Sequence, residues 1–331
     1  MIKYPPIKIN LGLNVLRKRE DGFHDLETLF LESGRFHDTL EIVTGDDYSR
    51  TMASLAARHG DRGGISDGDI PALAQGISEN GKLMITVARK EGVDWDVRKD
   101  LCAKAYALLD NDFKLPPAKI FLEKNSPVGA GLGGGSADAA YTLTMLNDIC
   151  ALGLSTEQLA GYAARLGSDC AFFIFGRPMF GEGRGEVLTP FELAVDIVDA
   201  GGAACSGSRT GSSDGGNDSS GTGTARPCTR EHPEKGRPQY ELQTVIPEGI
   251  SVSTAEAYRG ITPAIPEMRL KDVLARPVSE WKDLLVNDFE ATVFKAHPEL
   301  AAIKQSLYDS GAVYASMSGS GSALFALYER R

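Results

Sequence analysis

Residues 126–140 read SPVGAGLGGGSADAA, with five glycines among the seven positions from Gly129 to Gly135. A cluster that dense makes sense where backbone must approach another group closely or adopt positive φ. Ser136 follows, and then a run of helix formers with Leu143, Leu146 and Ile149 on one side, so the sequence predicts a helix capped by Ser136. A loop of bare N–H groups feeding a helix N-terminus is an anion site, because unpaired donors and the positive dipole end converge there. A flexible linker is the plain alternative, but linkers rarely run straight into a capped helix. The chemistry expected is phosphate binding.

Transfer of a phosphoryl group further requires neutralised charge and an oriented hydroxyl nucleophile. Asp169 follows a marked helix and precedes the apolar run Ala171–Phe175, which reads as a buried strand. A carboxylate there can accept a hydroxyl proton, and it can equally be a turn or cap residue. Lys8 alternates with Ile7 and Ile9 on a predicted strand, where a solvated face is the plain reading, and Asn10 shares that face. His24 follows Phe23 in Asp21-Gly-Phe-His, either as a packed turn residue or as a working imidazole.

Two familiar phosphate loops do not fit. Gly129, Gly131 and Gly134 satisfy GxGxxG, but Lys124-Asn125-Ser126-Pro127 separates the apolar stretch Ile120–Leu122 from the first glycine. A dinucleotide fold runs its strand directly into that glycine and ends the next strand on an acidic residue about 20 positions later. Here Cys150–Leu154 leads to another helix start. No Gly-Lys-Ser/Thr follows the loop, so a Walker A site is excluded as well.

What remains, a proline, a Gly-Leu-Gly-rich turn, Ser-Ala and a helix, resembles the central motif of the GHMP kinases. Tyr314-Ala-Ser-Met-Ser-Gly-Ser-Gly-Ser-Ala-Leu-Phe-Ala-Leu-Tyr328 resembles that family's third motif, and Ile7-Lys-Ile-Asn-Leu11 its first. The resemblance implies an α+β, two-domain GHMP kinase fold with the active site in the cleft between the domains. Residues 1–190 would be like domain 2 of ribosomal protein S5, and residues 191–331 ferredoxin-like. It also implies ATP as phosphoryl donor, held by Lys124, Pro127, Val128, Gly129, Ala130, Gly131, Leu132, Gly133, Gly134, Gly135, Ser136 and Ala137, with Lys124 flanking the adenosine. Asp169 falls on the family's catalytic aspartate, and Lys8 on the lysine that reaches toward it and the substrate hydroxyl. No acidic pair has magnesium-ligand spacing, so Mg²⁺ is expected on the ATP phosphates.

Within the family, Lys8–Leu11, Asp21–Phe30, Gly131–Asp138, Leu166–Asp169 and Val252–Thr254 resemble one branch best. Its members phosphorylate the 2-hydroxyl of a cytidine-diphosphate-linked methylerythritol in isoprenoid precursor synthesis. That resemblance implies a small-molecule substrate bound by Asn10, Phe23, His24, Thr254 and Tyr258. His24 would read the cytosine edge, with Phe23 and Tyr258 stacking on the ring, a geometry aromatics favour. The family often exchanges the aromatic types at those two positions.

The rest of the chain must position these groups. Asp38–Val43 and Lys82–Val87 read as strands and Asp100–Asp110 as a helix. At 155–166 Ser155 and Gln158 form a capping box, Leu159, Tyr162, Ala163 and Leu166 an apolar stripe, and Gly167 a stop. Trp281, Leu284, Leu285, Phe289 and Val293 predict one helix, and Pro298 can open another. Residues 44–80 read as an elaborated loop. Residues 201–238 contain no Val, Ile, Leu, Met, Phe, Tyr or Trp and are expected to be disordered. They would form an insert at the tip of a hairpin made by Phe191–Val198 and Tyr240–Ile246.

The composition sets outer limits. With 35 basic and 45 acidic residues the net charge is −10, which argues against nucleic-acid binding through surface charge. An acidic protein that handles phosphates must concentrate positive potential locally. There is no apolar run of the roughly 18 residues a membrane span needs, and MIKYPPIKIN lacks a signal peptide's apolar region. A cytoplasmic protein with no obligate protein partner is expected. Cys102, Cys150, Cys170, Cys205 and Cys228 show no CxxC spacing, so reduced thiols fit better than disulfides or zinc. Cys170, in Cys-Ala-Phe-Phe-Ile-Phe, reads as a packed thiol.

Overall fold

The computed structural model describes residues 1–45, 72–200 and 238–330. The stretch at 201–237, and with it the expected disorder, lies outside them. The described residues gather into two compact units whose chain segments interleave. One comprises Met1–Pro6, Phe36–Pro127 and Gly133–Phe175, the other Ile7–Arg35, Val128–Leu132 and Gly176–Arg331. Among the described residues no helix is long and apolar enough to cross a membrane.

The first unit is built on a five-stranded sheet in the order Ile2–Lys3, Thr39–Thr44, Ala118–Lys124, Leu83–Arg89, Ala72–Ile77. Leu83–Arg89 and Ala118–Lys124 pair in parallel, which demands a crossover connection. The helix Leu101–Phe113 lies in that connection, started by Asp100, whose side chain accepts from Cys102 N. Leu40, Ile42, Val87 and Leu122 are buried, as are Leu109, Leu143 and Leu146 on the helices. Each such side chain contributes about 1.5–3 kcal/mol on burial. The helix Thr156–Leu166 has the expected capping box between Ser155 and Gln158 and ends at Gly167.

Several expectations need correction in this unit. The helix that follows the glycine loop runs from Gly134 to Ile149, and its cap is Gly133 at φ 70°, not Ser136. Left-handed backbone at Gly133 turns the chain early enough for the next two glycines to become helical. The apolar run after Asp169 is a short helix, Cys170–Phe175, not a strand; periodicity cannot separate the two in so brief a run. Within 44–80, Ala72–Ile77 is a strand at the sheet edge, paired with Leu83–Arg89. Residues 46–71 lie outside the described set.

The second unit holds two four-stranded sheets, in the orders Asp196–Asp199, Gln239–Val245, Leu324–Glu329, Tyr314–Met317 and Pro6–Lys18, His24–His37, Met179–Glu182, Val187–Pro190. Leu13, Val15, Phe289, Val293, Leu300, Met317 and Leu324 form one buried cluster. Tyr314–Met317 and Leu324–Glu329 pair antiparallel about the Gly-Ser turn, as expected. Asp196–Asp199 and Gln239–Val245 do pair, but in parallel, so they are not the two arms of a hairpin. The single helix expected from Trp281 to Val293 is two, Trp281–Leu284 and Phe289–Ala296. It breaks because Leu13 N donates to Val286 O (2.9 Å) and Asp288 N to Leu13 O (2.9 Å), drawing the intervening chain alongside the first long strand. Pro298 opens the next helix, as expected.

Candidate functional site

In the second unit, three stretches far apart in sequence meet at Val128–Leu132. The long N-terminal strand passes on one side, where Lys8 N donates to Leu132 O at 2.8 Å. The Gly-Ser turn lies on the other, where Ala323 N donates to Ala130 O at 3.1 Å. Ser318 Oγ donates to Gly131 O at 3.3 Å, and Asn10 N donates to the same hydroxyl at 3.3 Å. Gly131 has φ +76°, and a Cβ there would sit 2.3 Å from Ser318 O and 3.0 Å from Gly321 O. Those atoms are backbone and cannot swing aside, so this position requires glycine on two counts. Carbonyls of the loop are thereby spent on neighbouring strands and turns.

Lys8 and Asn10 are 4% and 3% exposed, which removes the solvated-face reading of that strand. The Lys8 ammonium donates to Asn10 Oδ1 and lies 5.6 Å from the centroid of the Phe30 ring. Asn10 Nδ2 donates to Thr28 Oγ1 at 3.0 Å, and that hydroxyl donates to Gly12 O at 2.6 Å. A Cβ on Gly319 would come within 3.1 Å of Asn10 Oδ1 and 3.3 Å of Lys8 Nζ. The turn is held from behind by Asn287, whose amide donates to Met317 O at 2.7 Å and Gly319 O at 2.9 Å.

A second cluster in this unit gathers aromatic groups. His24 and Tyr258 stack with ring centroids 4.7 Å apart and planes 22° apart, and Phe289 meets Tyr258 edge-on. Burial lowers the His24 pKa, helped by the nearby charge of Lys18, so the neutral imidazole is favoured. Phe23 is 54% exposed, with the Arg184 guanidinium 4.9 Å from its ring centroid. Thr254 opens the helix Thr254–Arg259 behind the cap Ser253, and its hydroxyl lies 3.3 Å from Ser320 Oγ in the Gly-Ser turn.

In the first unit, Gly134, Gly135 and Ser136 form the first turn of their helix, where N–H groups have no intrahelical acceptor. Asp169 immediately precedes the helix Cys170–Phe175 and is half-buried, with Ser168 Oγ at 3.4 Å. The adjacent Cys170 is buried. Burial pushes that thiol up to about 11, so it is an inert packed group. The described cysteines Cys102, Cys150 and Cys170 are all free.

Lys124 is buried, and its ammonium donates to Asp38 and, at 2.7 Å, to Asp138 Oδ2. Burial opposes its charge, but attraction to Asp138 and Asp38 outweighs it and the pKa rises. Burial pushes the Asp138 carboxyl up, since a proton there lessens the buried negative charge of the cluster. Asp138 Oδ1 has no hydrogen-bond partner among the described residues. Asp38, Asp138 and Asn287 were not picked out by sequence reasoning. Their only signal was an acidic or amide side chain near a motif, and their partners lie as far as 88 residues away.

Comparison with known proteins adds a family to this geometry. The model of the GHMP kinases N terminal domain matches residues 100–177, and that of the GHMP kinases C terminal domain matches residues 270–331. The 4-diphosphocytidyl-2-C-methyl-D-erythritol kinase of Bacteroides fragilis is 37% identical over 99% of this chain and 92% of its own length. Its counterpart from Bacteroides thetaiotaomicron is 38% identical over the same shares. A crystal structure of 4-(cytidine 5'-diphospho)-2C-methyl-D-erythritol kinase aligns with a TM-score of 0.64 at 26% identity, covering 99% of this chain and 90% of that one. A mevalonate kinase structure, 11% identical with a TM-score of 0.54, shares the fold.

Proposed function

The chain belongs to the 4-diphosphocytidyl-2-C-methyl-D-erythritol kinases, a branch of the GHMP kinases, and we propose that it transfers the γ-phosphoryl group of ATP to the 2-hydroxyl of 4-diphosphocytidyl-2-C-methyl-D-erythritol. The observation that carries this reading is the meeting of Lys8 and Asn10, the glycine loop at Gly131, and the Gly-Ser turn at Ser318.

In this reading the residues from Pro127 to Ala137 hold the triphosphate, chiefly through backbone N–H groups and the dipole of the following helix. Magnesium enters with ATP as part of the donor substrate. Asp169 accepts the proton of the 2-hydroxyl as that oxygen attacks the γ-phosphorus, and ADP leaves in line. Lys8 offsets charge on the transferred group, and Asn10 orients the alcohol. His24 reads the cytosine edge as a neutral imidazole, while Phe23 and Tyr258 supply stacking surface and Thr254 a hydroxyl contact. We keep the domain boundary near residue 190 as a proposal. A cytoplasmic setting is likewise proposed.

Another GHMP kinase acting on a small alcohol is the runner-up, and a non-catalytic nucleotide binder on the same fold stands behind it. The aromatic pair His24 and Tyr258 favours the cytidylated substrate over both. The test is ATP consumption against a panel of alcohols. The cytidylated compound should be turned over far more efficiently than free methylerythritol 4-phosphate, because base stacking and edge contacts are lost with the cytidine. Equal efficiency would refute the substrate assignment, and no turnover of any alcohol would refute the kinase reading.

A further inference from the structure

Asp38 stands directly before the strand Thr39–Thr44 and is fully buried. Its carboxylate collects four donors from three consecutive residues. Oδ1 accepts from Asn125 N at 2.6 Å and Ser126 N at 2.7 Å, and Oδ2 from Ser126 Oγ at 2.7 Å and the Lys124 ammonium. These are the last residues before Pro127 and the glycine loop. The far end of the loop returns to the same place. Lys124 also holds Asp138, in the second turn of the helix Gly134–Ile149. A Cβ at Gly134 would lie 2.6 Å from Ser126 Oγ and 3.6 Å from Asp38 Oδ2. Both ends of the loop are therefore tied at one buried cluster, and Asp38 makes most of its bonds.

We propose that Asp38 is a positioning residue for the nucleotide site, fixing the entry and exit of the glycine loop so that its N–H groups keep their aim at the ATP phosphates. The proposal rests on the kinase reading above. A carboxylate suits this role because it only accepts, and all four partners donate. Two of them are buried or half-buried backbone amides, which fold poorly without an acceptor. Asp38 belongs to the first compact unit, whereas Asn10, His24, Thr254 and Tyr258 belong to the second. Disturbing Asp38 should therefore be felt by ATP ahead of the alcohol.

The test uses Asp38→Asn and Ser126→Ala in the full chain. Asp38→Asn keeps volume and an acceptor for the two amides, but sets an NH₂ donor against Ser126 Oγ and Lys124 Nζ. Ser126→Ala deletes one bond and leaves the carboxylate. KM for ATP should rise about tenfold or more in the first and about two- to threefold in the second, the ordinary consequence of losing charge-assisted bonds. KM for the cytidylated alcohol should move less than about twofold, and a fluorescent ATP analogue titrated without the alcohol should give the same order. A joint rise of both KM values would overturn the proposal, as would an unchanged ATP affinity with a lowered thermal midpoint. Should Asp38→Asn fail to fold, Ser126→Ala decides: a selective loss of ATP affinity supports the proposal and parental affinity overturns it. A parent protein that binds the analogue but phosphorylates no alcohol refutes the kinase reading, and the titration still judges Asp38.

Discussion

Gly131 and Gly129 allow the geometry of the glycine loop to be tested with an internal control. Both have positive φ, +76° and +75°. Placing alanine at either forces a left-handed L-residue, which costs roughly 1–2 kcal/mol. Their surroundings differ. A Cβ at Gly129 meets only Ser251 Oγ, at 3.9 Å, an ordinary contact. At Gly131 it would lie 2.3 Å from Ser318 O, 3.0 Å from Gly321 O and 3.1 Å from Gly321 N. Relief requires the loop and the Gly-Ser turn to separate, which strains Ser318 Oγ to Gly131 O and Ala323 N to Ala130 O. Overpacking of this kind typically costs about 1–3 kcal/mol. Gly129→Ala should thus lose about 1–2 kcal/mol and Gly131→Ala roughly 2–5 kcal/mol. The assay is urea unfolding of both variants and the parent, together with kcat/KM for ATP, since a displaced loop spends the same free energy on substrate binding. If the two variants agree within about 0.5 kcal/mol in both measurements, the close approach at Gly131 is not what fixes the residue and the convergence argued above is wrong.

Asp169→Asn should lower kcat by about 10²–10⁴-fold, with ATP and the cytidylated alcohol still binding within a few-fold, as loss of a positioned base implies. Single-turnover rates and titrations check this, and a near-parental kcat would leave Asp169 a structural carboxylate. His24 has a lowered pKa, so its stabilising contribution is fully present above the unfolded value of about 6.5 and is lost as pH falls through it toward the folded value. KM for the cytidylated alcohol should climb over that acid limb, and His24→Gln should flatten the climb; an unaltered pH profile in the variant would exclude His24 as its source. Replacing residues 201–237 by a glycine–serine linker of about a dozen residues should preserve thermal midpoint and kcat/KM, because parallel strands need a connection of that length. A linker of about three residues cannot return from Ala200 to Pro238 while both keep their ladder bonds, Ala200 N to Leu242 O and Asp196 N to Pro238 O, and should destabilise the pair; a large loss with the longer linker would mean that the native segment packs or serves the site.

Much of this was legible locally. The capping box at Ser155 and the strand–turn–strand near the C-terminus are written in neighbouring residues, and both form where expected. What failed were readings that needed information from elsewhere in the chain. The helix beginning at Gly134 rather than at Ser136 depends on φ at Gly133, which composition does not specify. The break at Asn287 depends on Leu13, more than 270 positions earlier. Parallel pairing of Asp196–Asp199 with Gln239–Val245 is invisible in the alternation of either strand, since direction leaves no mark on side-chain period. The site divides in the same way. Its glycines and serines carry the expectation of a phosphate loop, whereas Asp38 and Asp138, which bond Lys124, sit where any carboxylate would pass as a cap.

The fate of Lys124 bears on how a chain of net charge −10 can hold a triphosphate. Lys124 was expected to flank the ATP adenosine, and an acidic chain that handles phosphates must concentrate positive potential locally. Lys124 supplies little of it, because its ammonium is buried between Asp38 and Asp138 and the cluster carries no surplus positive charge. Its charge is used to shape the backbone. On the proposed reading, attraction for phosphate comes from the N–H groups opening the helix at Gly134 and from that helix's dipole. Backbone donors carry no net charge and keep their direction only while the loop keeps its shape. On that reading the electrostatics of the phosphate site are a matter of loop geometry, and a buried cluster without surplus positive charge can still strengthen anion binding by fixing that geometry.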